Sequence, residues 1–276
     1  MGGETAPRRW KGLLPRFVTA VIVASICITP LYFGGYFWTV LVGLFSSRLM
    51  YEWIRMTDPK APLAAFGISI GALLICLAYA AQGLEVGAMA SLVVGTCVAI
   101  IERLRRGGAF WSAIGLPYII VPSVIIVLLR GMNVGFNTAG FSQLIFIILV
   151  VIAADVGAYF GGKTFRGPKM APTLSPNKTW SGAISGLVFA CFIATLLGWA
   201  IGLSPTLSIM LAVPIIILSV LGDLMESSVK RHLGVKDTGT LLPGHGGLLD
   251  RLDSLMVAVV GGAILFMMLG NQWPIA

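Results

Sequence analysis

Hydrophobic positions along this chain gather into long continuous runs, without the strict alternation of a half-buried strand or the three-to-four spacing of an amphipathic helix. A helix needs roughly 20 residues to cross about 30 Å of hydrocarbon. Runs approaching that length can be drawn, approximately, at nine places: Phe17 to Phe33, Tyr36 to Met50, Leu63 to Gln82, Val86 to Ile101, Trp111 to Leu129, Phe141 to Phe160, Trp180 to Ile201, Leu207 to Leu221 and Ser254 to Leu269. Only Gly34-Gly35 divides the first two, so a hairpin that does not cross fully is one reading of that pair. The pattern predicts an all-α, polytopic integral membrane protein. Residues 1–140 read as scaffold helices and residues 141–276 as the part that carries chemistry, with polar connections at 161–179 and 222–253.

Composition sharpens this picture. Hydrophobic residues make up 57% of the 276, and charged residues only 11%, under half the usual quarter. A water-soluble fold needs a charged shell, and a disordered chain needs more charge still, so both are excluded. The net charge of +8 would raise the question of nucleic acid in a soluble domain; here the placement of the charges removes it. Arg8, Arg9, Lys11 and Arg16 precede the first run, and basic clusters follow the second, fourth, sixth and eighth, so that eighteen of the nineteen Lys and Arg residues fall on one side, Arg130 excepted. Basic loops stay cytoplasmic, which predicts a cytoplasmic N-terminus, an outer C-terminus and a location in the cytoplasmic membrane. The first run resembles a signal peptide but ends in Thr29-Pro30 with no convincing small-x-small cleavage site, and reads as a span. Cys27, Cys76, Cys97 and Cys191 lie within apolar runs, and no cysteine neighbours His232 or His245, so neither a disulfide framework nor a zinc knuckle is indicated. Small residues at Gly67 and Gly71, and from Gly182 through Gly186, Ala190 and Ala194 to Gly198, are spaced for close helix packing.

Polar residues accumulate in two blocks. The first runs from Asp155 to Trp180. Asp155 lies inside the sixth run, about a turn and a half from its end, where a carboxylate is costly and marks a site unless it snorkels or pairs with a neighbouring helix. Gly157 to Thr164 match G-x-x-x-x-G-K-[ST] letter by letter. A true P-loop needs a strand before it and a helix after it; this match starts within a membrane helix and is followed by Gly167-Pro168, so it is rejected. Lys163 nevertheless stands at the membrane surface, and Ser175, Asn177 and Lys178, in a proline-stiffened turn, offer donors to phosphate oxygens. Taken alone, the block is equally an ordinary positive cytoplasmic loop.

The second block runs from Gly222 to Ser254. Asp223 and Glu226 are three residues apart, as are Asp250 and Asp253, so each pair shares a helix face. Carboxylates at the mouths of neighbouring helices repel unless a cation lies between them, and oxygen ligands suit a hard ion such as Mg²⁺. Lys230, Arg231, Lys236 and Arg251 add anion-binding charge beside them. Metal with a basic cluster is the chemistry of a nucleotide or phosphoryl site. Asp237 reads either as a ligand or as the partner of Lys236 or Arg231, and His245, among Gly244, Gly246 and Gly247, either as a site residue or as part of a tight turn.

Ser227 to Asp253 resembles the signature of the phosphatidate cytidylyltransferase (CDP-diacylglycerol synthase) family, S-x-[apolar]-K-R-x4-K-D-x-G-x2-[apolar]-P-x-H-G-G-[apolar]-x-D-R-[apolar]-D, at every specified position. The first block is similar to the same family's D-x-x-A-Y-x-x-G-[KR] and S-P-x-K-T-W-x-G segments, with Ser181 standing where many members carry Glu. The resemblance implies an all-helical membrane enzyme, a homodimer, that joins CTP and phosphatidate into CDP-diacylglycerol and pyrophosphate. It further implies a two-cation centre with Mg²⁺ and K⁺ as the candidate second ion. Asp223 and Asp250 would be the main ligands, with Asp253 and Glu226 beside them; Lys230 and Arg231 would join the two aspartates in catalysis. Asp155, Lys163, Ser175, Asn177, Lys178, Lys236, Asp237, His245, Gly246, Gly247 and Arg251 would contact substrate. Two other activities fit the residues: a CTP-dependent lipid kinase releasing CDP, and a cation transporter built around Asp155, although no internal repeat supports the latter.

Overall fold

The computed structural model describes residues 25–239, 246–270 and 273–274. Residues 25–33 are helical, and eight further helices follow: α1 (Gly35–Thr57), α2 (Leu63–Ala81), α3 (Glu85–Leu104), α4 (Ala109–Arg130), α5 (Ala139–Phe165), α6 (Trp180–Ile201), α7 (Pro205–His232) and α8 (Leu249–Leu269). Between α5 and α6 stands a two-stranded antiparallel hairpin, β1 (Lys169–Ala171) and β2 (Ser175–Thr179). Among the described residues seven helices, α2 to α8, are long and apolar enough to span a membrane, and the chain is a helical, polytopic membrane protein. The first half of the first run, residues 17–24, lies outside the described residues.

Several helices outrun the apolar stretches that announce them. The second run stops at Met50, yet α1 continues through Arg48, Glu52 and Arg55 to Thr57. Charge ends a hydropathy run, but Arg and Glu are good helix formers; α1 stops only at Asp58, ahead of Pro59, where the residue before a proline is pushed out of the helical region. In the same way α7 extends eleven residues past Leu221 to His232, and α8 begins five residues before Ser254. Asp223, Glu226, Asp250 and Asp253 are therefore helical, as their shared-face spacing implies, and Lys230 joins them, so the polar stretch 222–253 connects helices only over its middle part. The helix α5 also runs on, to Phe165, which places Asp155 about three turns from its end, twice the expected distance.

Helix starts follow local chemistry. The Thr138, Thr179 and Ser204 hydroxyls accept N–H bonds from Phe141, Gly182 and Leu207, capping α5, α6 and α7. At the other end of α5, Arg166 adopts the left-handed conformation (φ 47°) and Gly167-Pro168 leads into β1. The P-loop-like string Gly157 to Thr164 thus lies wholly within a helix.

Arg130, the one basic residue off the cytoplasmic pattern, is 1% exposed. Its guanidinium donates to the carbonyls of Leu31 (2.6 Å), Tyr32 (2.8 Å), Asn133 (2.8 Å) and Gly135 (3.0 Å), stitching the turn at Gly34-Gly35 to the α4–α5 connection. Gly34, at φ +64°, leaves room for it, since a Cβ there would fall 2.8 Å from Nη1. A buried charge held by carbonyls does not report topology as a loop charge does.

Two apolar cores meet along α8. One gathers Leu49, Met50 and Trp53 of α1, Leu73 and Leu77 of α2 and Ile119 of α4, with Leu249 and Met256 of α8. The other gathers Ile147 and Val150 of α5, Ala190 and Ala194 of α6 and Ile215 of α7, with Ala258 and Val259 of α8. The small residues of α6 let it lie directly on α5: a Cβ at Gly186 would meet the Ala154 carbonyl at 2.6 Å, and one at Gly161 would meet Ser185 at 2.1 Å. The expected stripe at Gly67 and Gly71 behaves differently, with no described atom within 4 Å of either position. The close approach of α2 to α3 uses Gly95 against Ala72 instead, because α2 turns its alanine face inward and leaves both glycines off it. Outward positions are apolar, as contact with hydrocarbon requires, Val86 (82% exposed) and Met267 (81%) among them.

Candidate active site

The hairpin, α5, α6 and α7, with Ser254 of α8, line an open cavity of about 650 Å³. Its inner wall is apolar or small (Ala154, Gly186, Leu187, Ile216, Val220), Asp155 and Asp223 stand within it, and Lys163, Arg166, Lys169, Asn177 and Lys178 supply its polar rim. Lys178 is brought in by β2 and lies 2.5 Å from Asp223 Oδ2, while the Ser227 hydroxyl donates to Asp223 Oδ1 (3.3 Å). Asp155 lies within electrostatic reach of Asp223, Asp253, Lys178 and Arg251. A ligand with an apolar body and an anionic head matches this division between wall and rim.

Next to the cavity, where α7 meets the start of α8, Lys230 Nζ donates to Asp250 Oδ1 (2.8 Å) and stands 3.2 Å from Glu226 Oε1. Asp250 also accepts the backbone N–H groups of Thr238 (3.0 Å) and Gly247 (2.8 Å). Gly246, at φ +82°, suits this geometry, since a Cβ there would fall 2.9 Å from Asp250 Oδ2. The helices approach closely at Gly222, where a Cβ would meet the Asp253 carbonyl at 2.7 Å.

The four carboxylates read from the sequence as one cluster take three different settings. Asp223 faces the cavity beside Lys178, Asp250 is held by Lys230 and two N–H groups, and Glu226 and Asp253 touch each other in a buried pair, 2% and 6% exposed. Among the described residues no three His, Cys, Asp or Glu side chains converge as a metal cage. The buried pair is nevertheless a fit for a cation: neither Glu226 oxygen accepts a hydrogen bond, Lys230 offers only an ion pair, and two adjacent carboxyls need either a shared proton or a cation between them.

Asp237 Oδ1 borders the Asp250 site, 3.8 Å from where a Cβ of Gly246 would stand, and other expected site residues are placed differently. Arg231 is exposed and donates to the Leu174 carbonyl (3.3 Å), bracing the hairpin turn against α7. Ser175, at the start of β2, is not among the residues lining the cavity. Lys236 and Asp237 are exposed, and His245 lies outside the described residues.

A model of the cytidylyltransferase family matches residues 14–269. The chain belongs to that family. Among its relatives, the phosphatidate cytidylyltransferase of Brucella suis is 37% identical over 262 residues, covering 89% of this chain and 90% of its own. Those of Haemophilus influenzae (33% over 273 residues; 88% and 92% covered) and Pseudomonas aeruginosa (30% over 260 residues; 90% and 94% covered) are similar along nearly their whole length.

Two features of this cytidylyltransferase come from the fold alone. Ser181, the departure from the common motif, accepts the Gly167 N–H (3.0 Å) and lies 3.1 Å from the Thr179 hydroxyl, tying the start of the hairpin to α6. Glu52 of α1 is the residue that sequence reasoning missed: buried to 1% exposure, its Oε2 accepts the N–H of Leu249, 197 positions away, at 2.8 Å. The available signal was a charged pair four apart, Arg48 and Glu52, at the end of an apolar run; nothing local named its partner.

Proposed function

We propose that this cytidylyltransferase transfers the cytidylyl group of CTP to phosphatidate, giving CDP-diacylglycerol and pyrophosphate at the cytoplasmic face of the inner membrane. The observation that carries this reading is the cavity's split between an apolar wall set among membrane-spanning helices and a rim of Lys163, Arg166, Lys169 and Lys178. Acyl chains and a phosphate head match that split, and the whole-length similarity to phosphatidate cytidylyltransferases names the same pair of substrates. The kinase and transporter readings have no comparable support.

An ionised oxygen of the lipid phosphate bonds to the α-phosphorus of CTP as the bond from that phosphorus to the bridging oxygen of the leaving pyrophosphate breaks. The attacking oxygen carries no proton, so no general base is required, in keeping with the lack of a Ser-His-Asp or Cys-His set in the sequence. The residues' main task is to offset repulsion between two anions. The rim cations neutralise the lipid phosphate and the triphosphate, and the Lys178–Asp223 contact fixes one ammonium at the cavity mouth. Lys230, held by Asp250 and Glu226, is a second fixed cation next to it. Mg²⁺, with K⁺ as the candidate second ion, would be held by carboxylates drawn from Asp223, Glu226, Asp250 and Asp253, and when bound supplies charge neutralisation at the phosphates. A homodimer is the proposed assembly.

Purified protein in detergent, given phosphatidate, Mg²⁺ and CTP labelled at the α-phosphate, should move label into lipid with one pyrophosphate per turnover. Chelation should abolish this and added Mg²⁺ restore it. Asp250→Asn should lower turnover by about 10²-fold or more without loss of folded protein. Release of CDP in place of pyrophosphate would identify a kinase.

A further inference from the structure

We propose that Glu52 is a positioning residue for the transfer site, holding from α1 the same backbone segments that Asp250 holds from α8; the proposal rests on the reading of Lys230 and Asp250 as transfer-site residues. The helix α8 has no capping side chain of its own, because Leu248 occupies its N-cap position. Its first N–H groups carry the positive end of the helix dipole and need an acceptor. Glu52 supplies one through the 2.8 Å bond from Leu249 N–H to Oε2. The same oxygen lies 3.5 Å from the Thr238 hydroxyl, and Arg48, one turn earlier on α1, stands 3.1 Å from Oε1.

The surroundings are cut to admit this carboxylate. A Cβ at Gly239 would fall 3.0 Å from Glu52 Oε1, and one at Gly247 would fall 2.8 Å from Oε2. Thr238 and Gly247 are also the residues whose N–H groups bond to Asp250, the partner of Lys230. Glu52 thus meets each backbone segment that bonds to Asp250 or carries it: Thr238 and Gly239, Gly247, and the start of α8. A Ser, Thr, Asp or Asn at position 248 would cap the helix locally. A buried carboxylate from another helix does more, since it sets where α8 begins relative to α1. A shift of about 1 Å at a reacting centre costs about 10²-fold in rate, and loss of Glu52 removes the contact that prevents such a shift.

The test measures kcat and KM for both substrates, with thermal unfolding, in full-length Glu52→Ala, Glu52→Asp, Glu52→Gln and Asp250→Asn. Glu52→Ala is expected to lower kcat about 10²-fold while the KM for phosphatidate, whose cavity α8 lines only at Ser254, stays near wild type. Glu52→Gln keeps an oxygen for the Leu249 N–H and should recover most of kcat. Glu52→Asp keeps the charge but is one methylene too short, and should fall below Glu52→Gln. Wild-type kcat in folded Glu52→Ala overturns the proposal. So does a Glu52→Gln no better than Glu52→Asp, which decides the matter even where Glu52→Ala does not fold. Full activity in Asp250→Asn would instead remove the reading of the transfer site, whereas an inactive Asp250→Asn beside an active Glu52→Ala would sink only the role of Glu52.

Discussion

Lys178 shows how one side chain acquires a role through its setting. By sequence it is one of four basic residues in a connection between spans, set apart from Lys169 by its place in the S-P-x-K-T-W-x-G segment, which names no partner for it. The pairing of β1 with β2 turns it toward α7, 2.5 Å from Asp223 and on the cavity rim. Replacement by methionine keeps the stem and removes the charge, leaving Asp223 with only the Ser227 hydroxyl among its described hydrogen-bond donors. Lys178→Met should lower kcat/KM by about 10²-fold, the scale of losing one donor at a developing charge, and Lys178→Arg should recover part of it. Unchanged kinetics with both substrates would mean that this cation does not meet them. Asp250 and Lys230 were legible as candidate site residues from their motif. Glu52 was not, since its partners lie at Thr238 and Leu249 and no local rule connects positions so far apart.

Helices α5 and α6 are the elements whose fit determines the cavity. They lie in direct backbone contact at Gly157, Gly161, Gly182 and Gly186, and the cavity opens where they meet α7 and the hairpin. The small-residue stripe on α6 was readable as a packing surface. Its opposite number on α5 was masked by a P-loop look-alike, whose Gly157, Gly161 and Gly162 are contact glycines within a helix. Gly161→Leu places a side chain where Ser185 already lies within 2.1 Å of a Cβ. Such overpacking typically costs about 1–3 kcal/mol, so the variant should unfold at lower temperature in detergent and lose transfer as the cavity wall shifts. A variant as stable and as active as wild type would show that the two helices do not need this contact. Gly67→Leu, with no described atom within 4 Å of its Cβ, is the matched control and should change neither measurement.

Across the whole molecule the charge asymmetry makes a directional claim. The α4–α5 connection and the connection following α7 are separated by three spans, so they should face opposite sides of the membrane. In a background with the four cysteines replaced by alanine, Lys236→Cys should react with an impermeant thiol reagent only from the cytoplasmic side, and Asn137→Cys only from the outer side. Both residues are exposed. Labelling of both from one side would overturn the proposed topology and the cytoplasmic placement of the site. Arg130 does not count against that topology, because its four carbonyl partners make it a buried stitch.

Membrane residence, helical class and the identity of the transfer motif were all written in the chain itself, because hydrocarbon tolerates backbone only as helix or closed barrel and because the long signature from Ser227 to Asp253 is contiguous. Helix ends were less legible: hydropathy stops at the first charge, while a helix stops where backbone geometry does, as at Asp58-Pro59, Arg166 and His232. The partition of four carboxylates into three settings, the hairpin that delivers Lys178, and the reach of Glu52 across 197 positions came only from folding. Each depends on which helix faces meet, and spacing along the chain determines which residues share a face but not which other helix that face will find.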